Sequence, residues 1–152
     1  KNKLCQILFD SPIFYSENNN KIKSKFHYKL RKNKWPMFPP TSCISFRKKN
    51  LIKAINIISV KKYKDLWFDF RISTYFAIRK KQFNLINDNL TYYRQNSFNF
   101  DKKYKKYSNR AWWRRRDQAF NFLKFIDPKS FKKNTFSPDF MVTKLINKIF
   151  LS

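Results

Sequence analysis

The densest run of chemically specific side chains is Lys102-Lys103-Tyr104-Lys105-Lys106-Tyr107, followed after Ser108-Asn109 by Arg110 and then Trp112-Trp113-Arg114-Arg115-Arg116. Lysine ammonium groups neutralise phosphates and release their counterions. Tyrosine offers a flat face to an unstacked base and a hydroxyl to ribose or phosphate, and arginine both stacks and bridges phosphate oxygens. Together these side chains suit single-stranded or irregular RNA. The expected contact set is Lys102, Lys103, Tyr104, Lys105, Lys106, Tyr107, Arg110, Trp113, Arg114, Arg115 and Arg116, joined by Arg31, Lys48 and Lys49 from two other basic segments. A solvated loop is the competing reading of 102–107. Neighbours on a helix diverge by about 100°, so Trp112 and Trp113 cannot both face one layer. One belongs to a core and the other to RNA or a neighbour, or both are core in two packed layers.

Other chemistries find little support. The single histidine, His27, sits in a basic run, and the nine acids are scattered. Hydrolytic sites need clustered carboxylates for metal, or a histidine base. Asp65 and Asp69 are the nearest pair, yet on a strand they would stand about 13 Å apart. A nuclease or maturase fragment is therefore the least favoured class, and no catalytic residue or metal site is expected. Cys5 and Cys43 belong to no Cys-x-x-Cys or Cys/His cluster, which argues against zinc and against a disulfide framework. The chain contains no glycine, so phosphate-cradling loops and dinucleotide turns are excluded and no cofactor is expected.

Lysine and arginine total 35 against 9 acids, a formal charge of +26. Such a charge repels itself in a compact molecule unless a polyanion neutralises it. Disordered tails share this charge but lack apolar residues, whereas 42% of this chain is hydrophobic and 20% aromatic. Lysine, asparagine, phenylalanine, isoleucine and tyrosine dominate, all with AT-rich codons, and lysine outnumbers arginine 26 to 9. That bias points to an AT-rich genome of the kind many organelles carry. It does not account for the scarcity of acids, which calls for a physical partner. No apolar run approaches the roughly 18 residues that span a bilayer. The start, KNKLCQILFD, reads as neither a signal peptide nor an import presequence, as expected of an organelle-encoded chain.

The elements that must position these residues follow from periodicity and punctuation. A helix is predicted from Ser108 or Asn109, as cap, to Ile126, stopped by Asp127-Pro128. Trp112, Ala119, Leu123 and Ile126 fall on one stripe of it, flanked by Phe120 and Phe122. Arg114, Asp117, Asn121 and Lys124 lie opposite, and Arg115 and Arg116 at the edge. A second helix is predicted over 138–151, with Ser137 as cap, Pro138 in the first position and Asp139 on the helix dipole. Its Met141, Leu145 and Ile149, with Val142 and Ile146, form an apolar face, and the first helix is its expected packing partner. Residues 50–63 are read as a helix capped by Asn50 with Leu51, Ile55 and Ile58 inward, while the β-branched run INIISV argues partly for strand. Strict alternation over Leu66, Phe68, Phe70 and Ile72 predicts a half-buried strand. A helix from Ser73 or Thr74 to about Asn87, packing Phe76, Phe83 and Ile86, competes with continued strand to Ile78. A short strand is expected at 90–94. Residues 1–44, with a Ser11-Pro12 turn, the basic run 21–34 and the Pro39-Pro40 boundary, are read as an extended arm ahead of a domain at 45–152. The class is α+β: a small mixed domain with two or more C-terminal helices, short strands and a basic N-terminal arm.

In overall character the chain resembles ribosomal proteins encoded in AT-rich mitochondrial genomes. A sharper local match is Ser137-Pro-Asp-Phe-Met-Val-Thr-Lys-Leu-Ile-Asn-Lys-Ile-Phe150. It is similar to the opening helix of the family that organises the head of the small ribosomal subunit, the seventh protein in bacterial naming. In that family a basic arm containing Asp-Pro precedes the helix, and Asp127-Pro128 stands where it would. The family continues with Gly-Lys-Lys and most of its fold, which this chain lacks after Ser152. Either a second chain supplies the remainder or the similarity is local to one apolar helix. The resemblance implies a structural constituent of the mitochondrial ribosome in the matrix, small subunit favoured, with ribosomal RNA and neighbouring ribosomal proteins as partners and no small-molecule substrate. A peripheral basic subunit of a respiratory complex of the inner membrane is the alternative.

Overall fold

The computed structural model describes residues 7–16, 21–23, 38–80, 83–86, 88–95, 107, 109–132 and 137–151. They form a mixed α+β fold of short strands and helices, as the sequence predicts. The strands are β1 (Ile7–Phe9), β2 (Ile13–Ser16), β3 (Lys21–Lys23), β4 (Ile44–Phe46), β5 (Phe83–Leu85) and β6 (Tyr92–Gln95). Two three-stranded sheets result, in the orders β4-β1-β5 and β3-β2-β6. Each has a central strand with one antiparallel and one parallel neighbour. In the first, Phe9 stands opposite Ile44 on one side and Leu85 on the other.

Strands this short do not hold themselves; side-chain packing holds them. Ile7 and Phe9 point into the core on alternate positions of β1. The Phe9 ring lies 6.1 Å from both Phe38 and Phe83, and Phe38 meets Phe70 edge-on at 5.8 Å. Ile7 and Phe9 thereby join the same buried cluster as the helices, so this part of the expected arm is built into the fold. Asn89 Nδ2 donates to the Ser11 carbonyl at 2.7 Å and ties the segment before β6 to the one between β1 and β2. Residues 24–37 of the expected arm lie outside the described residues, Arg31 among them.

The helices are α1 (Lys48–Ile58), α2 (Phe68–Thr74), α3 (Arg110–Ile126), α4 (Pro128–Lys132) and α5 (Pro138–Leu151). In α1 the inward residues are Ala54 and Ile58, with Leu51 half-buried, a spacing of three and four. The helix starts at Lys48, ahead of the predicted Asn50 cap, and Ile55 faces outward rather than in. The strand predicted over Leu66–Ile72 is a correction: Trp67 precedes α2, and Asp69 in its first turn accepts from the Phe70 N–H at 2.7 Å. Alternation misled because Leu66, Phe70 and every residue from Ile72 to Ala77 are buried, while Phe68 is 37% exposed. Leu66 and Phe70 are buried four residues apart with Phe68 exposed between them, a helical spacing that the alternating apolar residues hide. The helix expected from Ser73 to Asn87 is likewise revised. Ser73 and Thr74 are buried inside α2, the coil widens to a π-helical turn over Tyr75–Lys80, and Phe83 opens a strand.

Helix α3 has the predicted limits. Asn109 Oδ1 accepts from the Ala111 N–H at 2.8 Å, and Asp127 ends the helix before Pro128 starts α4. Its Ala119, Phe122 and Ile126 are buried in the core, with Phe122 edge-on to Tyr63 at 5.1 Å. Helix α5 packs on α3 as expected, with Ser137 Oγ accepting from the Phe140 N–H at 3.3 Å. Its orientation differs from the amphipathic expectation. Thr143 and Asn147 are buried on the inner side, while Met141, Val142, Leu145 and Ile149 are exposed. Thr143 and Asn147 can turn inward because both find hydrogen-bond partners. Thr143 Oγ1 donates to the Asp139 carbonyl at 2.7 Å, and Asn147 Nδ2 donates to the Trp113 and Thr143 carbonyls at 2.9 and 2.8 Å. The Lys144 ammonium lies 2.6 Å from Asp117 and donates to Asn121 Oδ1 at 3.1 Å. Edge-on packing of Phe140 on Phe120 (5.4 Å) and Phe131 (5.5 Å) fixes the start of α5.

Candidate nucleic-acid interface

Helix α1 begins with no side-chain cap and no acid in its first turn; Arg47 stands at the cap position, followed by Lys48 and Lys49. All three are exposed, as is Lys53 one turn on. At 100° per residue Lys48, Lys49 and Lys53 share the outward side, opposite Ala54 and Ile58. Cations at a helix N-terminus oppose the macrodipole, and the free N–H groups of the first turn favour an anion there. The starts of α3 and α5 are built the usual way, with Asn109 and Ser137 as caps and Asp139 in the first turn of α5. Helix α1 thus departs from electrostatic convention in the direction that suits a phosphate. Lys61, Lys62 and Lys64 add exposed cations around the buried Tyr63 in a 3-10 turn after α1.

On α3 the predicted cluster divides. Arg110 is exposed at the start of the helix. Arg114 Nε and Nη2 donate to the two carboxylate oxygens of Asp65 at 2.7 and 3.2 Å. Gln118 closes the ring, its Nε2 donating to Asp65 Oδ2 at 2.7 Å and its Oε1 accepting from the Asp65 N–H at 2.9 Å. The Arg115 guanidinium lies over the Trp67 ring at 3.9 Å. Arg116, its side chain only 15% exposed, pairs with Asp139 and lies 5.0 Å over Trp112. These three arginines brace α3 against the segment leading into α2 and against α5. Trp112 and Trp113 are both half-buried and edge-on to each other at 4.6 Å. Tyr107 is exposed, packs on Trp112 at 4.8 Å, and accepts at its carbonyl from the Trp113 indole N–H. Lys102, Lys103, Tyr104, Lys105 and Lys106 lie outside the described residues.

The structure therefore brings Tyr107, Arg110 and Trp113 together at the start of α3, and sets Lys48 and Lys49 on α1. Arg47, Lys53, Lys61, Lys62 and Lys64 were not singled out from sequence. The legible signal would have been the absence of any acid from residue 47 to residue 64. Asp65 was weighed as half of a carboxylate pair; it serves as the arginine clasp, and Asp69 as a hydrogen-bond acceptor at the start of α2. Among the described residues no group of three His, Cys, Asp or Glu could hold a metal, and no helix is long and apolar enough to cross a membrane. Burial, with the Asp10 charge beside it, pushes the Cys43 thiol up to about 11, which leaves it protonated and a poor nucleophile at neutral pH. Burial also lowers the Arg71 guanidinium below its usual value. No family model matches the chain, and no curated protein or solved structure matches it either.

Proposed function

We propose that this chain is a structural constituent of the mitochondrial ribosome that binds ribosomal RNA and has no catalytic activity, with the small subunit favoured. The observation that carries the reading is where the acids are. Asp65, Asp117 and Asp139 pair with Arg114, Lys144 and Arg116 where separate segments meet, and Asp10 is buried. Arg47, Lys48, Lys49, Lys53, Lys61, Lys62 and Lys64 are exposed on a stretch that contains no acid of its own. A surface of that kind gains by exchanging condensed counterions on RNA for fixed lysines, and such binding weakens steeply with salt. Tyr107 and Trp113 beside Arg110 supply the flat faces on which an unpaired base stacks. Arg114, Arg115 and Arg116 serve this reading through the contacts that hold α3 in position.

Gradient sedimentation of solubilised mitochondria tests the assignment. The chain is expected to travel with a ribosomal subunit at moderate salt and to leave it at high salt; absence from both subunit peaks at moderate salt overturns the proposal. Depletion separates the alternative class. Loss of all organellar translation supports the ribosome, whereas loss of one respiratory complex alone supports a peripheral membrane-complex subunit.

A further inference from the structure

Arg71 in α2 is a cation that the fold partly encloses without meeting its charge. Its Nε is buried and has no hydrogen-bond partner, and among the described residues no carboxylate pairs with it. Arg114, Arg115 and Arg116 are treated differently, since they meet Asp65, the Trp67 ring and Asp139. Asp69 is near in sequence, but two residues turn a helix by about 200°, and its carboxylate accepts from the Phe70 N–H. Enclosing a guanidinium without an anion is unfavourable, and burial weakens its hold on the proton accordingly. The residue is only half-buried, so an anion from outside the chain can reach it.

The π-helical turn that follows sets a second arginine on the same side. From Arg71 to Tyr75, four α-helical residues overshoot a full turn by about 40°. Over Tyr75–Lys80 the hydrogen bonds reach one residue further and each turn holds more residues, so four residues fall short of a full turn. The two departures oppose each other, and Arg71, Tyr75 and Arg79 come into line. A continuous α-helix would leave Arg79 about 80° away from Arg71. Arg79 is exposed, and its guanidinium lies 5.8 Å over the Tyr75 ring. At the helical rise the two arginines stand about 12 Å apart along the axis, a span in which one nucleic-acid strand presents more than one phosphate. The planar guanidinium fork matches phosphate oxygens, and the polyanion that a charge of +26 calls for supplies them in a row. We infer that Arg71 and Arg79 hold backbone phosphates of one RNA strand, aligned for it by the π-helical turn. The inference rests on the RNA-binding reading and extends the contact surface to a helix from which no contact was expected.

Affinity of the purified chain for a small-subunit ribosomal RNA transcript, measured over a range of salt concentrations, tests the pair. Arg71→Met and Arg79→Gln are each expected to weaken binding and to reduce the slope of log affinity against log salt by about 1. Arg71→Met is also expected to raise the urea midpoint of the RNA-free chain, because it removes an unpaired charge from a half-buried place. A lowered midpoint with an unchanged slope identifies an arginine that serves only the fold, and overturns the inference. Inorganic phosphate at matched ionic strength separates the two sources of the anion. A midpoint that phosphate raises in the native chain and not in Arg71→Met, with the RNA slope unchanged, assigns the site to a free anion and also overturns it. A native chain that binds no RNA overturns the proposed function itself. A native chain that binds RNA no differently from both variants overturns only the part given to α2.

Discussion

At the scale of single residues, the most consequential side chain is Asp65. Its carboxylate receives Arg114 twice and Gln118 once, tying α3 to the segment between α1 and α2. Asp65→Ala leaves the Gln118 amide and Arg114 without their acceptor and is expected to cost about 1–3 kcal/mol in a urea unfolding titration. Arg114→Ala is expected to cost less, because that guanidinium is half-exposed and solvent screens the pair. Nothing in the sequence links position 65 to position 114, since local pattern carries no information about partners so far apart. Local chemistry, by contrast, was legible: Asn109, Ser137 and Asp127-Pro128 act where the sequence places them. Cys43 gives a pH prediction. Its folded value of about 11 exceeds the ordinary 9.0, so the folded state holds its proton while the unfolded chain ionises. That stabilisation is complete below pH 9 and is lost as pH rises to about 11. Burial raises Tyr63 in the same sense above its ordinary 10.0. Native protein is expected to lose more stability between pH 9 and pH 11 than Cys43→Ala does, measured as the difference in urea midpoints across that range.

At the scale of elements, the limits of α3 and α5 were readable and the orientation of α5 was not. Helices α3 and α5 carry their own caps and stops, so their existence follows from the chain alone. Which side of α5 meets α3 depends on the carbonyl of Trp113, the carboxylate of Asp117 and the ring of Phe120, which periodicity does not register. Asn147→Ala removes that donor from the part-buried Trp113 carbonyl and is expected to destabilise by about 1 kcal/mol. A change within error in the unfolding midpoint would mean that the polar seam is not what orients α5. Helix α2 shows the opposite difficulty. Leu66, Phe68, Phe70 and Ile72 alternate in type, but Phe68 is exposed, and the buried Leu66 and Phe70 keep a helical spacing that alternation conceals. The cationic start of α1 follows from residues 47–49 once the helix is known to begin at Lys48; a start at Asn50 hides it.

For the molecule as a whole, the fold resolves a conflict that composition poses. A chain of +26 has little reason to be compact, yet its aromatic residues build a core that runs from Ile7 to Ile126. Within the described residues, Asp65, Asp117 and Asp139 neutralise the cations that must lie at packed seams, and the lysines of α1 and its following turn remain outside. Among the described residues, Asp65, Asp117 and Asp139 thus pair with cations where segments meet, while the lysines of α1 lie exposed. The α+β class was legible from the mixture of periodic and extended segments, while the twin sheets were not, because three-residue strands leave almost no pattern. The central claim is that exposed lysines of α1 hold RNA phosphates. It is tested most directly by the affinity of the purified chain for a small-subunit ribosomal RNA transcript over a range of salt concentrations. Lys48→Gln with Lys49→Gln is expected to lower affinity and to reduce the slope of log affinity against log salt by about 2. An affinity and slope equal to those of the native chain would contradict it.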